Sequence, residues 1–108
     1  MDNVHSKIQN LIKQNSILLF IKGTQSLPLC GFSQTVVSIF NLMQIPYTTF
    51  NVLEDEEIRQ GIKSYSNWPT IPQVYIQEEF IGGADIVISL YQEGKLHDII
   101  EKILANFK

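Results

Sequence analysis

Apolar positions recur along this chain with two periods, and the switches between them mark out its elements. Val4, Ile8, Leu11 and Ile12 lie at helical spacing behind a cap at Asp2 or Asn3, which predicts a first helix to about Gln14. Ser16 through Ile21 is short, apolar and without alternation, the pattern of a central strand covered on both faces. Gly23 to Leu29 carries Gly, Ser and Pro punctuation. Phe32, Val36, Val37, Phe40 and Met43 then restore the helical period until Pro46 stops it. Tyr47 to Val52, rich in aromatic and β-branched residues, predicts a second strand parallel to the first through a βαβ crossover.

The second half is patterned as clearly. Glu54-Asp55-Glu56-Glu57 puts four acids in the first turn of a helix, where the positive end of the macrodipole favours them without any ligand. Arg59 and Lys63, four apart, share one face of that helix, turned either to solvent or to an anion. From Trp68 to Ile76 two prolines bracket a turn and a short alternating strand follows. Gln77-Glu78-Glu79 reverses the chain, Phe80-Ile81 returns it as a hairpin strand, and Gly82-Gly83 ends that strand. A helix over Ala84 to Tyr91, a break at Gly94 and a last amphipathic helix through Leu96, Ile99, Ile100, Ile103 and Leu104 complete the chain. The order α-β-α-β-α-β-β-α-α describes an α/β protein whose mixed four-stranded sheet carries helices on both faces.

Composition narrows the function. A chain of 108 residues suffices for one core, and with 8 basic and 11 acidic residues its net charge of −3 offers no broad positive surface for nucleic acid or anionic lipid. No apolar run approaches the ~20 residues of a membrane span. A single cysteine cannot close an internal disulfide and fits a reducing compartment. Met1 to His5 lack the order of a signal or transit peptide, so the expected location is cytoplasmic. His5 and His97, with no ligand partner at metal-binding spacing, read as surface residues.

The candidate chemistry lies at Cys30, at or just before a helix N-terminus with Lys22 nearby. Partial positive charge and free N–H groups there stabilise a thiolate, although a free cysteine also serves as a small buried apolar residue. Four motifs surround it: Lys22-Gly23-Thr24, Cys30-Gly31-Phe32-Ser33, Trp68-Pro69-Thr70-Ile71-Pro72-Gln73 and Gly82-Gly83-Ala84-Asp85. Together, in this order, they make the chain resemble a single-domain monothiol glutaredoxin of the thioredoxin-fold superfamily, with one glutaredoxin domain over residues 1–108 and an extra N-terminal helix. Gln25 stands where many members have proline, and Ala84 where many have a second cysteine.

The resemblance implies a cis Ile71–Pro72 bond facing Cys30 and a glutathione site. The Ile71 backbone would pair with the cysteinyl part of glutathione. Arg59 or Lys63 would take the glycine carboxylate, Lys22 would attract the anionic thiol, and Thr70, Pro72, Gly83 and Ala84 would line the site. Gly31 would allow close backbone approach, and Phe32 would either shield the site or pack in the core. Gly83 would open a helix whose N–H groups receive a carboxylate, with Asp85 either taking the ligand's ammonium or acting as a local cap. Ser33 stands where a dithiol relative has its resolving cysteine, a role a hydroxyl cannot fill.

Two functions share these residues. A 2Fe-2S cluster takes four ligands, so the resemblance implies a labile cluster held by Cys30 of two protomers and two glutathiones. The chain would then be a homodimer when loaded and a monomer when apo, serving acceptor apoproteins and pairing with a BolA-like partner. Alternatively, Cys30 reduces protein–glutathione mixed disulfides with only one protein thiol. The five-residue spacer between Thr24 and Cys30 is the mark of the cluster-handling branch. A third reading makes the chain an interaction module with an inert thiol.

Overall fold

The computed structural model describes residues 3–105, leaving aside the side chain of Leu104. Asp2, one of the two expected caps, and Leu104, as part of the last apolar stripe, therefore lie outside the described residues; Asn3 is already helical. The elements are α1 (Asn3–Gln14), β1 (Ile17–Ile21), α2 (Gly31–Leu42), β2 (Thr48–Asn51), α3 (Glu56–Ser66), β3 (Gln73–Ile76), β4 (Glu79–Gly82), α4 (Ala84–Gln92) and α5 (Lys95–Ala105), with one 3-10 turn at Val52–Glu54.

The strands form one mixed sheet in the order β2-β1-β3-β4, with β1 parallel to β2 and antiparallel to β3, and β4 antiparallel to β3. β1 is buried along its whole length because successive side chains enter opposite cores. Ile17, Leu19 and Ile21 join Val36, Val37 and Phe40 of α2, Val87 of α4 and Leu96 and Ile100 of α5. Leu18 and Phe20 join Ile8 and Ile12 of α1 and Ile58 and Ile62 of α3 on the other face. The mixed four-stranded sheet expected from the pattern is present, and the thioredoxin-like arrangement that the resemblance implies with it, α1 being the added helix beside α3.

Four local expectations need correction. β3 does not alternate between core and solvent: all four residues are buried, since helices cover both faces at this point too. The acidic run is divided, with Glu54 in the 3-10 turn, Asp55 capping α3 by accepting the Ile58 N–H at 3.1 Å, and only Glu56 and Glu57 in the first turn. That N–H bond, with Lys7 nearby, holds the Asp55 carboxyl below its ordinary value. Pro46 does not end α2, because the helix stops at Leu42 and Gln44 takes a left-handed conformation (φ 56°). His5 is not a free surface residue: its ring stands edge-on to Tyr65 at 5.6 Å, and Nε2 lies 3.2 Å from the Ser64 hydroxyl, because α1 packs along α3.

The β3–β4 hairpin turns through Gln77 (φ 49°) and Glu78 (φ 70°), both exposed and both in the region that favours Asn and Gly. Replacing the pair with Asn-Gly (Gln77→Asn, Glu78→Gly) is expected to raise stability by about 1 kcal/mol. Urea unfolding checks this, and an unchanged midpoint would show that the turn carries no such cost.

Candidate functional site

Cys30 sits where the loop after β1 becomes α2. Its backbone is extended (φ −141°, ψ 154°), and its sulfur takes the place of an N-cap oxygen, accepting the Ser33 N–H at 3.3 Å. The Ser33 side chain is wholly buried, with Oγ 3.2 Å from Sγ and 3.1 Å from the Lys22 backbone N–H, whose hydrogen it accepts. Once the sulfur is ionised, the hydroxyl can donate to it while still accepting from Lys22. Burial pushes the Cys30 thiol up. The Ser33 hydroxyl and N–H, the Lys22 charge and the Phe32 N–H outweigh that effect and hold it below its ordinary value.

The connecting loop is folded rather than slack. Gly23 (φ +95°) permits a tight reversal in which an added Cβ would stand 2.5 Å from the Leu27 carbonyl oxygen and 2.7 Å from the Leu29 nitrogen. Thr24 and Leu27 exchange backbone bonds of 3.1 and 3.2 Å, and the Leu29 N–H donates to Lys22 O at 2.9 Å. Asn51, at the end of β2, fixes the loop's entry: its Oδ1 accepts the N–H groups of Gly23 at 2.9 Å and Leu53 at 3.0 Å. The loop leaves Leu27, Leu29 and Phe32 largely exposed around the thiol, so Phe32 is not a core residue.

Beside the thiol lies a cavity of about 410 Å³. One wall is Lys22 and Phe32; α3 contributes Arg59 and Lys63; the segment Trp68–Pro72 and residues Gly83, Ala84 and Asp85 close the other side. The Ile71–Pro72 bond is cis, as expected. α4 opens at Gly83, which has no side chain to cap it, so Asp85 is not the local cap and the first N–H groups of the helix are left for a ligand. Lys22, Lys63 and Asp85 form no ion pair among the described residues, and Arg59 has only a 3.8 Å contact to Glu56 on its own helix. The cavity thus has unspent positive charge on one side, and on the other a helix N-terminus beside a carboxylate.

Of the residues singled out from the sequence, Lys22, Phe32, Arg59, Lys63, Thr70, Ile71, Pro72, Gly83, Ala84 and Asp85 are brought to this one cavity; Cys30 does not itself line it, but stands two residues before Phe32 and within the influence of the Lys22 charge, both of which do. Gly31 is not among them: it is exposed, and an added Cβ would meet nothing within 4 Å. Sequence reasoning missed Ser33 as a partner of the thiolate, Asn51 as the loop's anchor and Trp68 and Pro69 as wall residues. Ser33 had a visible signal, since the third residue of a helix is where a cap bond lands. Asn51 had none for its bond to Gly23, which lies 28 residues away, although its bond to Leu53, two residues on, is a local turn.

The glutaredoxin family model matches residues 17–81. A Synechocystis protein described as an uncharacterised monothiol glutaredoxin is 54% identical over 101 residues, spanning 94% of each chain. The chain belongs to the monothiol glutaredoxin family. A chloroplastic monothiol glutaredoxin of Arabidopsis thaliana is 44% identical over 92% of this chain and 57% of its own. The solution structure of reduced apo GrxS14 from poplar superposes with a TM-score of 0.80 at 44% identity, covering 93% of this chain and 92% of that one. Membership accounts for the single cysteine: a monothiol glutaredoxin works with one protein thiol and with glutathione.

Ser33→Ala is expected to raise the Cys30 thiol pKa, and Lys22→Gln to raise it by less, because the alanine variant keeps the backbone N–H but loses the hydroxyl bond, the strongest of the lowering influences, whereas the lysine acts through a screened charge. Ultraviolet titration of the thiolate checks the order. A larger effect from Lys22 would mean that long-range charge, not the cap, activates the sulfur.

Proposed function

We propose that the chain binds glutathione along the cavity beside Cys30 and that two such complexes share a 2Fe-2S cluster as cargo. One observation carries the reading: a partly exposed, activated thiol is flanked by Lys22 and Phe32, two wall residues of a cavity whose opposed, unspent charges match a zwitterionic tripeptide. Arg59 and Lys63 receive the glycine carboxylate. The Ile71 backbone pairs with the cysteinyl residue, with Thr70 and Pro72 beside it. The first N–H groups of α4, at Gly83 and Ala84, take the γ-glutamyl carboxylate, and Asp85 takes the ammonium. Lys22 faces the ligand sulfur.

The donor set supports a shared cluster. Among the described residues no three metal-binding side chains converge, and the chain has one cysteine. A cluster that takes four thiolates needs three from elsewhere: two glutathiones and Cys30 of a second copy. The loaded form is accordingly a homodimer, the apo form a monomer, and the cargo passes to acceptor apoproteins. The exposed Leu27, Leu29 and Phe32 around the sulfur support a partner-facing role for this surface, including a BolA-like protein. A lone reduced thiol suits a reducing compartment, and the cytoplasm is the proposed location.

The lowered thiol pKa also favours a weaker, second activity. The Cys30 thiolate attacks the glutathionyl sulfur of a protein mixed disulfide and the protein thiolate leaves; a second glutathione thiolate then attacks Cys30-bound glutathione, releasing glutathione disulfide and restoring the thiolate.

Anaerobic reconstitution with iron, sulfide and glutathione is expected to give a brown dimer that reverts to monomer on cluster loss, while Cys30→Ala stays colourless. Wild-type protein that remains colourless, or a cluster on Cys30→Ala, overturns the carrier reading. Rapid Cys30-dependent turnover of mixed disulfides would put the reductase first. Arg59→Ala and Lys63→Ala are each expected to weaken S-methylglutathione binding roughly five- to tenfold, measured by calorimetry.

A further inference from the structure

The segment Trp68–Pro72 lines the cavity without belonging to any helix or strand, so something must hold its backbone in one shape. Gln73, the first residue of β3, is the polar side chain best placed to do so. It is wholly buried, which a carboxamide tolerates only when its hydrogen-bonding groups are met. They are. Its Nε2 donates to Trp68 O at 3.0 Å and to Thr70 O at 3.3 Å, and its Oε1 accepts the Tyr75 hydroxyl hydrogen at 3.3 Å. The chemistry fixes the amide's orientation, since the opposite one would set an oxygen against two carbonyls.

The two tethered carbonyls flank Pro69 and immediately precede Ile71, the residue whose backbone faces the ligand in the proposed complex. Tyr75 holds the other end of the amide and is itself confined, edge-on to Phe20 at 5.6 Å and packed against Phe80 at 5.4 Å. Trp68 continues the same brace across the cavity. Its buried indole nitrogen has no hydrogen-bond partner among the described residues and stands 3.0 Å from where a Gly83 Cβ would be, so the ring seats the segment against the start of α4. The lock reaches neither Cys30 nor Ser33.

We propose that Gln73 is a positioning residue for ligand binding: its carboxamide pre-organises the Trp68–Pro72 wall, so the cost of ordering that wall is met on folding rather than on binding. The inference rests on the reading of the cavity as a glutathione site.

Gln73→Met keeps the length and volume of the side chain and removes all three bonds. It is expected to weaken S-methylglutathione binding roughly tenfold while leaving the ultraviolet titration of the Cys30 thiolate unchanged. Tyr75→Phe removes only the tyrosine bond and leaves both loop tethers, so it is expected to lower thermal stability while keeping affinity within about twofold of wild type. In the wild-type protein, both Gln73 side-chain amide protons are expected to exchange slowly with solvent, with or without S-methylglutathione; this readout decides the matter if Gln73→Met does not fold. Wild-type affinity in Gln73→Met, a parallel loss of affinity in Tyr75→Phe, or fast exchange of the Gln73 amide overturns the proposal. Failure of the wild-type protein itself to bind S-methylglutathione would instead overturn the reading of the cavity.

Discussion

The Ser33 hydroxyl is the joint on which the site turns. It accepts a hydrogen from the Lys22 backbone at the end of β1 and lies in hydrogen-bond contact with the Cys30 sulfur at the start of α2. One buried oxygen therefore ties the central strand to the helix that bears the thiol. A hydroxyl suits this place because it can donate and accept at once, whereas a methyl group would leave the Lys22 N–H without this partner. The residue that replaces a resolving cysteine is thus not a blank. It exchanges the capacity for an internal disulfide for a fixed thiolate.

Everything else at the site is delivered by elements that meet at one end of the sheet. β1 carries Lys22 out of the core, α3 brings Arg59 and Lys63 from one face, and α4 brings its N-terminus from the other. The two cores hold these elements in place independently, because β1 and β3 send alternate side chains into each. The cavity is therefore a product of the whole fold, although each wall is local. The charges are maintained at some cost to the apo protein, since Lys63 and Asp85 each forgo an ion pair among the described residues. A ligand of complementary charge recovers that interaction.

Much of this was legible in the sequence, and for identifiable reasons. The unalternating apolar run from Ile17 to Ile21 announced a strand buried on both faces, and glycine and proline punctuation marked where Cys30 would lie. The motifs contained every residue that meets at the cavity except Arg59 and Lys63, which the helical spacing of α3 supplied. What escaped detection depends on contacts between segments far apart in the chain. Asn51 gives no sign that it will bond Gly23, nor His5 that it will dock on Tyr65. Gln73 was visible only as the last residue of a motif leading into a strand read as alternating. Its burial follows from the packing of α1 and α3 over that face of the sheet, which no local pattern encodes.

The thiol's activation also has a consequence for stability with a definite sign. A group whose folded pKa lies below its unfolded value favours the folded state in its ionised form, so its contribution is present above the unfolded pKa and is lost as pH falls through the folded one. For Cys30 this means that the anion is supported by the fold rather than tolerated as strain. The cap bonds from Ser33 stabilise the thiolate before any ligand arrives. When the sulfur becomes bound to glutathione or to iron, it gives up part of that anionic character, and the fold loses some of the associated stabilisation. Release of the cargo restores it. The same bonds that make Cys30 a good nucleophile therefore also make it a good leaving group, which is what a carrier with one thiol requires.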